Sequence, residues 1–441
     1  MPYSPLACAP ANEEHVAKAS AFAETALTSD ADAWDRGRAS PEATLRKAIS
    51  LFTPTAIAPN LGGQGENFTT LCRVYEELAS RDLGLTCALA VHTNVTVALS
   101  LSPNASLRDF YLPKLLSGEA IGAFLLTEPH AGSDATAITT YAKPEGGAFL
   151  ISGEKAWVTN GLYCDFLAMF CQTAPGTGAK GIAAFGIDRQ AEGVSFGPAL
   201  DLVGSHAMGT TDAEFSAVRV HQDAIAFPAG EAFGAAMFGI NVARLGVAAM
   251  CNGALMGSLS RAVDYAQERE TFGQPVFKHQ GMQWTLADIA TELECSRSLT
   301  FQAAQFFDQN QDATVIAAHA KKKANATSFD GISQCMRALG ANGLKRAYEL
   351  PRQLAAARVT ECMDGTGEIM NVVIGRGMAR PALPPSPNAQ STGIAPTSAP
   401  TPNCKIYIWR DALLSTIYPS TPANAKCYPP QMRYMQKINL T

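Results

Sequence analysis

The chain has 441 residues, a formal net charge of −5 and a hydrophobic fraction of 47%, a composition typical of a folded protein with a large core. Its acidic and basic residues are mixed, whereas nucleic-acid binding needs concentrated positive charge to displace phosphate counterions. No stretch approaches the roughly 20 uninterrupted apolar residues of a membrane span, and the N-terminus lacks the pattern of a secretory signal. Eleven scattered cysteines form no CxxC pair and no Cys/His cluster. We therefore expect reduced thiols, no metal site and a cytoplasmic location.

Four zones of the chain differ in pattern. Residues 1–122 carry apolar residues three and four apart, which predicts an N-terminal helical domain. Residues 123–230 contain short apolar or alternating runs bounded by Gly, Pro, Asp or Asn, which predict a small β-domain. Residues 231–380 return to long amphipathic segments suited to a helix bundle. Residues 381–441 begin with a Pro-, Ser- and Thr-rich stretch typical of a linker and end in a tail with no assigned role.

The first candidate site is the segment LLTEPHAGSDATA, residues 125–137, where helices give way to strands. Gly132 allows backbone to approach a phosphate, and Ser133 with neighbouring N–H groups can donate to it. Ser and Asp after Gly are also ordinary turn residues, so Gly-Ser-Asp alone indicates only a capped turn. The longer string T-E-P-x-A-G-S-D is far more specific.

The second candidate site is GEKAWVTNG, residues 153–161. A flat aromatic side chain such as Trp157 can cover one face of a flat cofactor and exclude water from it. The alternative is a strand tryptophan that fills the core of the β-domain.

A third segment, RETFG followed by HQ, begins at Arg269. A planar, permanently charged guanidinium suits a pyrophosphate, although an exposed arginine at a helix terminus is the simpler alternative. The chain has no Walker loop and no GxGxxG after a strand, so a Rossmann nucleotide site is not expected.

Together with GANG at 340–343 and MDGTGEIMNVVIGR at 363–376, these motifs resemble those of the acyl-CoA dehydrogenase family in order and spacing, over about the first 380 residues. The resemblance implies an α+β fold with an N-terminal α-helical domain, a central small β-barrel-like domain and a C-terminal four-helix bundle. It also implies an FAD cofactor. The implied FAD contacts are Leu125, Thr127, Gly132, Ser133, Trp157, Thr159, Arg269, Thr271, Phe272, Gln280, Arg337, Gly340, Gly343, Thr366 and Glu368.

The family reaction removes the α-proton of an acyl thioester with a carboxylate and transfers the β-hydride to the flavin. Asp364 occupies the position of the base, where the family usually has Glu, and a misplacement of about 1 Å can cost on the order of a hundredfold in rate. Some members carry the base just before Arg244, but that position is Ala243 here. Asp364 is therefore the predicted catalytic base, and a helix N-cap is its alternative role.

Three further features follow from the resemblance. Arg244 and Ser133 are the implied substrate-binding residues, with a surface salt bridge as the alternative for Arg244. Arg337 stands where many members have Gln, so its adenosine contact departs from the family pattern. The segment 90–97 is expected to line the acyl pocket.

The implied substrate is an acyl-CoA or an acyl carrier protein thioester, from fatty acid or amino acid catabolism, and the implied electron acceptor is an electron-transfer flavoprotein. Because the Arg269 segment reaches the FAD of a neighbouring subunit in the family, a homotetramer is expected. The alternatives are an enoyl-thioester reductase, a flavin oxidase similar to nitroalkane oxidase, and an inactive flavin-binding homologue. Asn371 argues against the oxidase, which keeps an Arg about there.

Overall fold

The computed structural model describes residues 3, 5–6, 10–28 and 30–379. The predicted linker and tail at 381–441 lie outside the described residues. Within them, helices come first, a β-sheet follows, and helices return.

The N-terminal part consists of six helices. Asn or Asp side chains accept backbone N–H groups at the starts of α1, α4, α5 and α6, so the polar residue before each apolar run fixes where the helix begins. The helices are α1 (Glu13–Ala26), α2 (Ala31–Asp35), α3 (Glu42–Phe52), α4 (Phe68–Ala79), α5 (Leu83–Ser100) and α6 (Ala105–Ser117).

The middle part is an eight-stranded sheet of order β6-β7-β3-β2-β4-β5-β8, with β1 paired in parallel to β4. Alternating burial along β7 places one face of that strand against the core and the other toward solvent, whereas β4 and β5 are buried on both faces. The strands are β1 (Gly122–Leu125), β2 (Tyr141–Glu145), β3 (Ala148–Val158), β4 (Phe166–Gln172), β5 (Ile182–Asp188), β6 (Val194–Phe196), β7 (Thr211–His221) and β8 (Ile225–Phe227).

The C-terminal part has three long helices and two shorter ones. A two-stranded hairpin of β9 (Glu270–Thr271) and β10 (Gln274–Pro275) separates the first two long helices. The helices are α7 (Ala232–Glu268), α8 (Gln280–Asp308), α9 (Thr314–Ala338), α10 (Leu350–Cys362) and α11 (Gly367–Met378).

One hydrophobic core joins the two helical parts. Helix α7 packs against α9 on one side and against α4 and α5 on another, and buried residues from all of them form a single cluster. The predicted α+β fold with helical, β and helical parts is confirmed.

Helices α5 and α7 are each long and apolar enough to cross a membrane by length and composition. Most of the apolar window of each is buried against other parts of the chain. Core helices of folded proteins pass the same test, so this observation is weak evidence for a membrane span.

Candidate active site

Asp364 lies in the short turn between α10 and α11. Its φ is 52° and that of the next residue, Gly365, is 98°, a left-handed conformation that Gly adopts freely and that Asp tolerates better than most residues. Helix α11 has Thr366 as its N-cap residue. The alternative role of Asp364 as the helix cap is therefore wrong.

Two buried cations hold this turn by its main chain. The Nε of Arg244 donates to the carbonyl oxygen of Asp364 at 3.0 Å, and the Nζ of Lys321 donates to that of Gly365 at 2.9 Å. Lys321 also donates to the carbonyl of Glu361 at 3.3 Å. The exposed fractions of Arg244 and Lys321 are only 7% and 1%, so the surface salt bridge considered for Arg244 is excluded.

The environment of Asp364 favours a carboxyl group that titrates closer to neutral pH than usual. Burial raises the pKa of Asp364, and the cations of Lys321 and Arg244 lower it by a smaller amount. Among the hydrogen bonds of the described residues, none is made to the Asp364 carboxylate, because both cations donate to carbonyl oxygens instead. A carboxylate with a raised pKa and free oxygens has the properties of a general base.

Sequence reasoning missed Lys321. It is the first of three consecutive lysines in α9, and the other two behave as surface residues: Lys322 donates to Asn371, and Lys323 pairs with Glu292. The available signal was helical spacing, since Lys321 lies on the same buried face as Ala317 and Ala324.

The ends of β1 and β3 meet at a second group of predicted site residues. The backbone N–H of Ala156 donates to the carbonyl of Thr127 at 3.0 Å. Next to it, Trp157 has a φ of 58° and is 61% exposed, so it does not fill the β-domain core. Thr159 is buried close by in sequence, and the side chain of Leu125 packs inside the core.

A buried ion pair fixes the turn that follows β1. The Nζ of Lys155 donates to Glu128 at 2.8 Å and to the carbonyl of Leu126 at 3.0 Å, while Glu128 also accepts the backbone N–H groups of Thr139 and Thr140. Burial raises the pKa of Glu128, but Lys155 and the hydrogen bonds lower it to about 2 overall. Sequence reasoning assigned no role to this pair.

The segment that follows this turn is exposed and open. A Cβ added at Gly132 would meet nothing within 4 Å, and Ser133 is exposed beside it. Asp134 accepts from the N–H of Thr136 at 3.2 Å, so the capped-turn interpretation holds for Asp134. An exposed indole, an open glycine and nearby hydroxyl groups fit a flavin with its phosphates.

A third group of predicted contacts lies at the C-terminal end of α7 and in the hairpin beyond it. Arg269 is exposed, Phe272 is 98% exposed with a φ of 52°, and Gln280 is exposed at the start of α8. Thr271 lies near His279, whose ring nitrogen is 3.4 Å from its hydroxyl. Among the described residues, no hydrogen bond joins this group to the segment around Thr127 and Trp157.

The remaining predicted contacts lie at two helix ends. Arg337 and Gly340 are exposed at the end of α9, while Gly343 is buried so tightly that an added Cβ would lie 2.1 Å from the Met336 carbonyl oxygen. Glu368 is exposed in the first turn of α11. The roles of these FAD contacts stay predictions.

A small cavity of about 20 Å³ lies between α4, α5 and α7, and we call it the α4–α5–α7 cavity. Val242, Ala243 and Leu245 line it and flank Arg244, whose guanidinium holds the turn of Asp364. The cavity therefore lies beside the segment of α7 that carries Arg244.

Comparison with protein-family models matches three consecutive segments. Residues 10–119 match the N-terminal domain of acyl-CoA dehydrogenase, residues 123–218 the middle domain and residues 230–379 the C-terminal domain. The chain belongs to the acyl-CoA dehydrogenase family.

Individual relatives agree with this assignment. An acyl-CoA dehydrogenase of Bacillus subtilis (strain 168) is 33% identical over 316 residues, which is 71% of this chain and 83% of the relative. A 3-(aryl)acrylate reductase of Clostridium sporogenes is 30% identical over 362 residues, 81% of this chain and 96% of the relative. The structure of butyryl-CoA dehydrogenase from Megasphaera elsdenii has a TM-score of 0.82 at 27% identity and covers 86% of this chain and 100% of that one.

This acyl-CoA dehydrogenase family member is an FAD-dependent oxidoreductase that acts on the CH–CH bond of an acyl thioester.

Proposed function

We propose that the chain dehydrogenates an acyl-CoA between Cα and Cβ, with Asp364 as the base that removes the α-proton. The observation that carries this proposal is the half-buried Asp364 carboxylate, which accepts no hydrogen bond from the described residues and belongs to a turn whose carbonyl oxygens Arg244 and Lys321 hold.

Asp364 is proposed to remove the proton, and Arg244 and Lys321 are proposed to position the turn that carries it. A carboxylate oxygen of Asp364 takes the α-proton, so an O–H bond forms while the Cα–H bond breaks and its electron pair moves toward the thioester. Arg244 and Lys321 hold the main chain of the turn, and their charges moderate the pKa of Asp364. When bound, FAD supplies the acceptor for the hydride that leaves Cβ.

The shorter side chain of Asp, compared with Glu, makes the position of the main chain critical. A shift of about 1 Å is enough to cost on the order of a hundredfold in rate. The two cation-to-carbonyl contacts therefore support catalysis by setting where the turn lies.

Trp157, Thr127, Thr159, Gly132 and Ser133 are proposed to receive the flavin and its phosphates. The exposed ring and the open glycine support this role.

The assembly is proposed to be a homotetramer in the cytoplasm. Phe272 is almost fully exposed, and Arg269 and Gln280 are exposed near it. Among the described residues no hydrogen bond joins this group to the Trp157 segment, and we propose that a neighbouring subunit brings it to the cofactor. The proposed electron acceptor is an electron-transfer flavoprotein.

The opposite reaction direction is a second candidate function. A relative that is 30% identical over 81% of this chain is a 3-(aryl)acrylate reductase. Reduction of an enoyl thioester would use the same residues, with Asp364 returning a proton to Cα while Cβ takes a hydride that the reduced form of the cofactor would supply.

The test is an anaerobic titration of the purified protein with butyryl-, isovaleryl- and octanoyl-CoA, followed through the visible absorption of oxidised flavin. Bleaching of that band, with an enoyl-CoA recovered by mass spectrometry, is the expected result. If no acyl-CoA bleaches the flavin but a crotonyl-CoA or arylacrylyl-CoA reoxidises the chemically reduced protein, the reductase is supported. A bound flavin that responds to neither series would contradict both candidate functions for CoA thioesters.

A further inference from the structure

A break in the pairing of β3 with β7 lies at the proposed flavin contact Trp157. The register of the two strands shifts between Lys155 and Val158. The two residues between them, Ala156 and Trp157, lie opposite a single residue of β7, Asp212. Two residues opposite one define a β-bulge, a feature that re-aims a side chain and is frequent next to active sites.

The bulge turns the indole of Trp157 outward. Lys155 and Trp157 are two residues apart and would share one face of a regular strand. Instead Lys155 is fully buried, whereas Trp157 is 61% exposed. The φ of 58° at Trp157 is costly for a bulky side chain, and such a conformation persists only where its surroundings hold it.

Two oxygens outside the regular β3–β7 ladder accept the N–H groups of the bulge. The N–H of Trp157 donates to Oδ1 of Asp212 at 3.1 Å, and the N–H of Ala156 donates to the carbonyl of Thr127 at 3.0 Å. The carbonyl of Asp212 in turn accepts the N–H of Gly197 at 2.9 Å, which fixes this part of β7. A hydrogen bond to a carboxylate is about twice as strong as one between neutral groups, so Asp212 stabilises the backbone conformation of Trp157.

We propose that Asp212 is a positioning residue for the cofactor: it holds the backbone of Trp157 so that the indole contacts the flavin in one orientation. This inference rests on the proposed role of Trp157 as a flavin contact. Asp212 acts through this tryptophan and not by touching the cofactor itself. The contact requires an oxygen acceptor at position 212, so an amide can replace the carboxylate, but an aliphatic side chain cannot.

The first test measures the Kd of FAD by dilution of the holoenzyme, because released FAD is detected by its fluorescence. In Asp212→Ala the N–H of Trp157 loses its acceptor, and we expect the Kd to rise about tenfold, the effect of one hydrogen bond to a charged group. Asp212→Asn keeps an oxygen at the same place, and we expect its Kd to stay within about threefold of wild type. Glu214→Ala is the matched control, since it removes the next exposed carboxylate along the same face of β7 and is expected to leave the Kd unchanged.

The second test is a double-mutant cycle, which separates an effect through Trp157 from a general effect on the β-domain. We expect Trp157→Ala alone to raise the Kd of FAD by about tenfold, because the aromatic contact is lost. In the Trp157→Ala background, the additional change Asp212→Ala is then expected to have no further effect. Should Asp212→Ala not fold, Asp212→Val takes its place, because a β-branched side chain suits a strand.

An unchanged Kd in Asp212→Ala, with a raised Kd in Trp157→Ala, would overturn the inference while leaving Trp157 as a flavin contact. So would an Asp212→Asn protein that binds FAD no better than Asp212→Ala. Losses that multiply in the double variant would also overturn it, because Asp212 would then support the fold rather than the indole. If Trp157→Ala binds FAD as tightly as wild type, the proposed flavin contact fails together with the inference. The dehydrogenase function is decided separately, by the bleaching of the flavin with an acyl-CoA.

Discussion

The turn of Asp364 and the surface around Trp157 show opposite ways of building a site. The turn lies among packed helices, where two buried cations of the same chain hold its carbonyl oxygens. The surface around Trp157 is open, and the exposed group at Arg269 and Phe272 lies elsewhere in the chain. The comparison teaches that contacts within one chain fix the backbone around Asp364, whereas the exposed residues around Trp157 and Arg269 leave their proposed partners to the cofactor and to another subunit.

The largest expected effect is that of Asp364→Asn, which removes the basic carboxylate with little change of side-chain shape. We expect flavin reduction by an acyl-CoA to slow by about 10³–10⁴-fold, near the upper end of what a general base contributes, while FAD stays bound. Rapid-mixing absorbance measures the rate. The control is Glu361→Gln, three residues away, whose side chain pairs with Arg358 at the surface and is expected to matter little. Undiminished reduction in Asp364→Asn would remove Asp364 from the mechanism.

Arg269→Ala tests the exposed group at the end of α7, which is proposed to bind FAD. Loss of a charge-assisted contact to a pyrophosphate should weaken FAD binding by about 10–100-fold and loosen the oligomer. Gel filtration with flavin absorbance measures both effects. Arg219→Ala, which removes an exposed arginine paired with Glu145 in the β-domain, is the matched control. Equal FAD retention in the two variants would mean that Arg269 is only an exposed helix-end residue.

Lys321→Met tests whether the proposed base Asp364 depends on the positive charge of Lys321. The Lys321 charge lowers the pKa of Asp364 against the effect of burial, so its removal should move the acidic limb of kcat/KM to higher pH. The other charged or titratable groups near Asp364 and Lys321 stay in place. They are Arg244 on α7, Cys251 on α7, Cys87 on α5 and Cys362 at the end of α10.

The expected loss of rate in Lys321→Met at the wild-type optimum is about a hundredfold, because one anchor of the turn is also lost. Lys322→Met, which removes the neighbouring surface lysine, is the control. A rate that falls while the pH profile stays in place would show that Lys321 only supports the fold.

The smallest expected effect is on stability. Because the pKa of folded Asp364 is raised, its contribution is favourable below the unfolded pKa of about 3.9 and is lost as the pH rises through the folded pKa. Asp364→Asn should therefore be more stable than wild type at neutral pH, and the difference should disappear in acid. Urea unfolding of both proteins across this pH range measures it. A less stable Asn variant at neutral pH would mean that the carboxylate contributes net stabilising contacts.

The sequence predicted the parts of the molecule that depend on local pattern. Helical and alternating periods indicated the three-part fold, and the motif around Asp364 indicated the position of the carboxylate. An exposed Trp157 followed from the resemblance, although periodicity alone left a core tryptophan equally open. Gly343 was assigned to the cofactor, whereas its packing against the Met336 carbonyl also explains why no side chain fits there.

What the sequence did not reveal depends on contacts between distant segments. In a run of three lysines, charge alone does not show which one enters the core. The pair of Lys155 with Glu128 joins residues 27 positions apart, and the two cations at the turn of Asp364 come from α7 and α9. These contacts are set by how helices and strands pack, which a one-dimensional pattern does not specify.

Because Arg244 and Lys321 bind carbonyl oxygens of the Asp364 turn, the shape of this turn does not depend on the side chain at position 364. Every residue type offers the same carbonyl to Arg244 and Lys321, so the turn can keep its place when the residue at position 364 is exchanged. The left-handed backbone then sets the remaining restriction, because it accepts Asp, Asn or Gly most easily. Substitution at this one position can therefore alter the chemistry of the protein while the surrounding scaffold remains the same.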